Sequence, residues 1–170
     1  MKDREIKDSF IKLIEKNQGI IFKVSKMYCD NDIDQEDLFQ DILIQLWNAY
    51  PSFKGHSKFS TWMYRVALNT AISRIRKGKV LDNEELTSDF KFDVSDGETE
   101  NDLEERSKLL HRAISKLNKA EKAIIMLYMD DYSYEEISEI AGISVSNVGV
   151  KIVRIKKKLQ MFLNALGYGK

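Results

Sequence analysis

The sequence predicts an all-helical chain: two small helical domains joined by an acidic flexible linker, the C-terminal one a helix-turn-helix. Three observations predict it. Apolar residues recur at helical spacing, and no stretch alternates long enough to make a strand. The charge is segregated, although the 170 residues carry 27 basic and 27 acidic side chains in all. Residues 1–79 hold 14 basic and 10 acidic groups, residues 80–105 one and 11, and residues 106–170 12 and six. Finally, residues 132–158 (YSYEEISEIAGISVSNVGVKIVRIKKK) hold two short amphipathic helices pinned at a glycine, the second ending in cations.

Element by element, residues 5–29 place Ile6, Phe10, Leu13, Ile14, Ile20, Ile21, Phe22, Val24 and Met27 at helical spacing. Gly19 either splits this stretch into two helices or weakens one. A second helix is expected from a cap at Asp34, with Ile33 stapled onto Leu38, to about Tyr50, where Pro51 stops it. A third begins at Ser57 or Ser60 and runs to about Lys77. Six of the eight glycines, all but Gly19 and Gly149, fall between these patterns. Residues 80–105 are rich in Asp, Glu, Ser and Thr and lack sustained periodicity, so they make a linker. Its last residues, from Asp102, join the next helix. Helices follow over roughly 103–116, 119–129, 134–141 and 145–164. Ser133 and Glu136 have capping-box spacing, Gly142 suits a left-handed cap, Ser144 caps the last helix and Ile143 staples onto Val148.

Composition removes several function classes. No apolar run nears the roughly 18 residues of a membrane span, and the charged start lacks a secretory signal, so a cytoplasmic location is expected. Cys29 is the only cysteine, which excludes an internal disulfide and a cysteine metal cluster. His56 and His111 lie in different bodies without metal-ligand spacing, and no nucleophile elbow or phosphate-cradling glycine motif occurs. No cofactor, catalytic residue or small-molecule substrate is expected.

Three constellations point to partners. On a wheel of residues 34–50, Leu38, Phe39, Ile42, Leu43, Leu46 and Trp47 form a core half. Asp37, Gln40, Asp41, Gln45 and Asn48 fill the other half, with Ile44 near its middle. An isoleucine ringed by carboxylates and amides suits a protein contact with an apolar centre and polar rim. Next, residues 51–59 (PSFKGHSKF) are a turn-rich loop of rings and cations, the combination that stacks on bases and neutralises phosphate. Phe53 and Lys54 in the loop and Asn69 on the next helix are favoured contacts, whereas Phe59, Trp62 and Met63 are better explained as core. In the last helix, Ser146 and Asn147 lie at the groove-reading start, and Lys151, Arg154 and Lys158 follow as a cationic stripe suited to phosphates.

DLFQDILIQLW (Asp37–Trp47), FKGHSKFSTWMYRVALNTA (Phe53–Ala71) and the terminal helix-turn-helix together resemble a bacterial RNA polymerase sigma factor. The two-body layout is similar to the extracytoplasmic-function (ECF) group. The resemblance implies that residues 1–79 bind core RNA polymerase through Asp37, Gln40, Asp41 and Ile44. It further implies that Phe53, Lys54, His56, Lys58, Arg65 and Asn69 engage and help melt the minus-ten element. Residues 106–170 would read the minus-thirty-five element of promoter DNA through Ser146, Asn147, Lys151, Arg154 and Lys158. An anti-sigma factor is a further partner the resemblance implies. Two departures stand out: Leu117 is followed by Asn118 where the family often has proline, and Asn147-Val148-Gly149 replaces a common Thr-Val opening. Base preference therefore does not transfer. Gly149 weakens the helix by about 1 kcal/mol relative to alanine and is compatible with close backbone approach to DNA. The rival reading is a free-standing dimeric repressor, which would bind a palindrome and have no use for the aromatic loop.

Overall fold

A computed structural model describes residues 2–81 and 101–168, in which every regular element is helical. The chain divides into two compact units, Met1–Leu86 and Thr87–Lys170. The expected linker, residues 80–105, lies largely outside the described residues; helix occupies its first two positions and those from 101 onward. No helix among the described residues is long and apolar enough to cross a membrane.

Unit 1 holds α1 (Lys2–Tyr28), α2 (Asp32–Ala49), a single 3-10 turn (Tyr50–Ser52) and α3 (Phe59–Leu81). Each of the three helices packs on the other two. Their apolar faces bury Phe10, Ile21 and Val24 from α1, Leu38, Ile42 and Leu46 from α2, and Met63, Tyr64, Ala67, Leu68 and Ala71 from α3. Full burial of a side chain such as Ile42 contributes about 1.5–3 kcal/mol.

Of the two outcomes open at Gly19, α1 takes the continuous helix. Two other N-terminal expectations need correction. Asn31, and not Asp34, caps α2: its Oδ1 accepts the Asp34 N–H at 2.8 Å and its Nδ2 donates to Asp34 Oδ2 at 2.6 Å. The helix thus starts three residues earlier than expected, and Ile33 falls inside its first turn, 76% exposed rather than stapled to the core. Gly78 lies within α3, which continues to Leu81, because glycine weakens a helix without ending it.

Unit 2 holds α4 (Asn101–Ser115), α5 (Lys119–Met129), α6 (Tyr134–Ala141) and α7 (Val145–Ala165). α5 is the central element, burying five consecutive residues, Ala123 to Leu127, against neighbours that include α6 and α7. A helix buried all round needs no polar stripe. Around it close Ala113, Ile114, Leu117, Ile137, Ile140, Val148, Ile152, Ile155 and Leu159. The helix starts follow the sequence. Asn118 caps α5 and Ser133 caps α6, each in a reciprocal capping box, with Glu121 and Glu136 respectively. Ser144 caps α7 through the Asn147 N–H.

Candidate nucleic-acid and polymerase-binding surfaces

The helix-turn-helix is α6, a turn at Gly142, and α7. Gly142 has φ +68°, a left-handed conformation that glycine adopts without a Cβ penalty. Ser138 ties the turn from both directions. Its carbonyl accepts the N–H groups of Gly142 (2.9 Å) and Ile143 (3.3 Å), and its hydroxyl donates to the Ile143 carbonyl at 2.5 Å. The turn therefore fixes where α7 begins. Sequence reasoning passed over Ser138, whose hydroxyl has no motif to announce it.

Along α7 the buried stripe is Val148, Ile152, Ile155 and Leu159. Ser146 and Asn147 are exposed at the helix start, with Ser146 Oγ 3.3 Å from Ser144 Oγ. Arg154 is exposed and Lys151 half-buried. Lys158, expected on phosphate, is instead held by Glu121 at the start of α5, Nζ to Oε1 at 2.5 Å. Partial burial alone would raise the Glu121 carboxyl. The hydrogen bonds from Lys158 and the Asn118 N–H, with the charges of Lys158 and Lys151, outweigh it and hold the group below its ordinary 4.5. Lys156 lies against Tyr128, donating to its hydroxyl at 2.7 Å. Gly149 faces the Tyr134 ring of α6, with a built Cβ 3.5 Å from Cε2, so its small size meets a neighbour within its own unit.

In unit 1 the polar half of α2 is as expected, and Ile44 stands out of it at 55% exposure. Asp37 and Gln40 are also exposed, and Asp41 is half-buried. The carboxylates have a partner that sequence reasoning did not assign. Arg74 of α3 donates through Nη1 to Asp41 Oδ2 at 2.6 Å, and its Nη2 is 3.5 Å from Asp37 Oδ2. Beside this ion pair, α2 and α3 leave a groove of about 360 Å³ lined by Gln45, Asn69, Thr70, Ser73, Arg74 and Lys77. Asn69, expected on DNA, therefore shares a groove with the guanidinium that fixes two residues expected on the polymerase. Arg65 is exposed one turn before Asn69.

The loop after α2 rests on rings. Phe53 is half-buried, 5.5 Å from Phe59 and 5.1 Å from Trp62, and those two lie 5.3 Å apart. Tyr50 and Phe10 continue the cluster beneath. The division expected between a contacting Phe53 and a core Phe59 and Trp62 is not kept: all three are half-buried in one stack, and only Met63 is core. Lys54, Gly55 and His56 form the exposed tip, with Lys58 exposed just before α3. Gly55 takes φ +72°, which turns the chain at the tip.

Comparison with known proteins adds to this geometry. Residues 13–80 match the model of sigma-70 region 2, and residues 107–159 match that of sigma-70 region 4. The chain is 32% identical to the ECF RNA polymerase sigma factor SigW of Bacillus subtilis (strain 168), over 94% of this chain and 91% of the relative. It is 30% identical to the ECF RNA polymerase sigma-E factor of Escherichia coli (strain K12), over 74% and 72%. Its fold is similar to that of the sigma factor RpoE from Bartonella quintana, solved in complex with the anti-sigma factor NepR. That likeness has a TM-score of 0.70 at 19% identity and covers 95% of this chain and 98% of the other. With both family regions present in order and a full-length relative at this identity, the chain belongs to the ECF RNA polymerase sigma factors, non-enzymatic initiation factors that direct RNA polymerase to promoters.

Proposed function

We propose that the two units divide the work of initiation by position. Residues 1–79 dock on core RNA polymerase through Ile44 and the surrounding Asp37, Gln40 and Asp41. The loop tip and the face of α3 that follows, through Phe53, Lys54, His56, Lys58, Arg65 and Asn69, engage the minus-ten element and help separate its strands. Residues 106–170 bind the duplex minus-thirty-five element through the start of α7, with Ser146 and Asn147 at the base edges. Lys151, Arg154 and Lys158 serve the phosphates, Lys158 only after exchanging Glu121 for DNA. Residues 80–105 tether the two units, and the protein works in the cytoplasm. An anti-sigma factor restrains it, a reading supported by the complex in which the structurally similar RpoE was solved.

The observation that carries the docking assignment is the exposure of Ile44 on a helix whose other apolar residues mostly face its own unit. An exposed isoleucine within a polar rim is the anatomy of a protein contact. Run-off transcription with purified core polymerase tests the whole reading: initiation is expected only when this protein is added. Ile44→Glu is expected to abolish binding to the core enzyme while leaving the helical circular dichroism unchanged. Core binding by that variant at wild-type affinity would refute the docking assignment.

A further inference from the structure

The buried stripe of α7 fixes which residues face outward, and of the cations that spacing singles out only Arg154 is among them. At about 100° per residue, Ser146, Val150, Val153, Arg154 and Lys157 lie within roughly 50° of the direction opposite Val148, Ile152, Ile155 and Leu159. Lys151 and Lys158 lie near the flank, and Lys158 is occupied by Glu121. Val150 is 48% exposed and Val153 54%. Two exposed β-branched apolar side chains therefore stand on the presented face, with the exposed Arg154 and Lys157 beside them on it.

Resting on the reading that this face enters a major groove, we infer that Val150 and Val153 read the C5-methyl groups of thymines in the minus-thirty-five element. In that groove each base edge displays donors and acceptors, and the thymine methyl is its one apolar group. A valine has no hydrogen bond to offer. Set against guanine, adenine or cytosine edges, it would strip water from a donor or acceptor and return nothing. Set against a methyl, it buries apolar surface on both sides. The two valines are three residues apart, about 4.5 Å along the helix axis, against about 3.4 Å between base pairs. They meet neighbouring steps of the duplex, on either strand. Arg154 and Lys157 supply the charge that makes DNA, rather than an apolar protein surface, the occupant of this face.

The test uses the full chain with core polymerase. A promoter library randomised across the upstream element is transcribed, and the preferred element is rebuilt with single thymine-to-deoxyuridine changes, which delete only the methyl. Two neighbouring positions are expected at which the change lowers initiation about three- to fivefold. Val150→Ala is expected to remove the penalty at one of them and Val153→Ala at the other, with circular dichroism confirming the fold. Val150→Thr, which keeps the shape but adds a hydroxyl, is expected to relax the thymine preference at the first. A preferred element without thymine on either strand there would overturn the inference. So would deoxyuridine penalties equal in wild type and both alanine variants, the result expected if another protein covers the valines. No initiation from any library member would overturn the underlying function with it, an outcome distinct from initiation that ignores the methyl.

Discussion

Arg74 of α3 reaches across to α2 and donates to Asp41 at 2.6 Å while standing 3.5 Å from Asp37. One guanidinium thus orders two carboxylates on the helix face that also presents Ile44. Partial burial alone would lower the Arg74 pKa, but the Asp41 hydrogen bond and the nearby carboxylates outweigh it and raise it. All three side chains are at least one-third exposed, so the contribution to stability is modest, about 0.5–1 kcal/mol. A double-mutant cycle of Arg74→Met and Asp41→Asn in urea is expected to give that coupling, and to lose most of it in 1 M salt as screening shortens. Coupling that is nil at low salt would mean the pair is ornamental. Arg74→Met alone is expected to weaken core binding several-fold, because Asp37 and Asp41 lose their anchor.

What was legible in the sequence was local. Ser133 with Glu136, Gly142 and Ser144 set the ends of α6 and α7 through contacts no more than four residues long, and the structure has them where spacing puts them. The start of α2 was harder for a physical reason. Asp30, Asn31, Asp32 and Asp34 all have cap chemistry, and only the backbone bend at Asn31 chooses among them. Long-range pairing was not legible at all. Arg74 and Asp41 are 33 residues apart, and Lys158 and Glu121 are 37 apart. A cation's partner depends on the register of two packed helices, which no periodicity encodes. For the same reason Lys158 looked free on a wheel of its own helix.

Two glycines of the helix-turn-helix are expected to respond with opposite signs. Gly142 holds φ +68° with open space around it, so alanine there meets backbone strain alone. Gly142→Ala is expected to cost about 1–2 kcal/mol. Gly149 is inside α7, and a Cβ there would sit in ordinary contact with the Tyr134 ring at 3.5 Å. Gly149→Ala is expected to gain about 1 kcal/mol from helix propensity. Thermal unfolding of the full chain reads both. A destabilised Gly149→Ala would show that the ring cannot accept the methyl.

The Glu121 carboxylate ties two helices, accepting from the Asn118 N–H at 3.2 Å and from Lys158. Its folded pKa is lowered below the ordinary 4.5, so the sign is fixed. Its contribution is complete above about pH 4.5 and is lost as the pH falls through the folded value. Glu121→Gln is expected to destabilise unit 2 by about 1 kcal/mol at neutral pH. The gap between wild type and variant should close in acid below pH 4.5. Chemical denaturation at pH 7, 5 and 3.5 measures it; a gap that widens in acid would contradict the assignment. The same variant frees Lys158, so binding to duplex DNA should tighten at low salt, if Lys158 serves phosphate as proposed.

Cys29, just after α1, offers a single-site probe of how α1, α2 and α3 close on one another. Its thiol is pushed up from 9.0 to about 11, first by burial and then by the charge of Asp34, with Asp30 and Asp37 adding and Arg74 opposing. A thiol at about 11 holds about 100-fold less thiolate at neutral pH than one at 9.0, and the thiolate is the reactive form. Alkylation of the native chain by iodoacetamide, followed by mass, is therefore expected to be slow at pH 7 and to rise with a midpoint near 11, whereas the urea-unfolded chain should titrate near 9.0. The folded value is the higher of the two, so the thiol's contribution to stability is present below pH 9.0 and is lost as the pH climbs from there towards 11. Arg74→Met removes the one opposing cation and is expected to raise the native midpoint further. A native midpoint at or below 9 would mean that Cys29 is neither desolvated nor surrounded by the carboxylates of α2, and the packing of that corner would have to be redrawn.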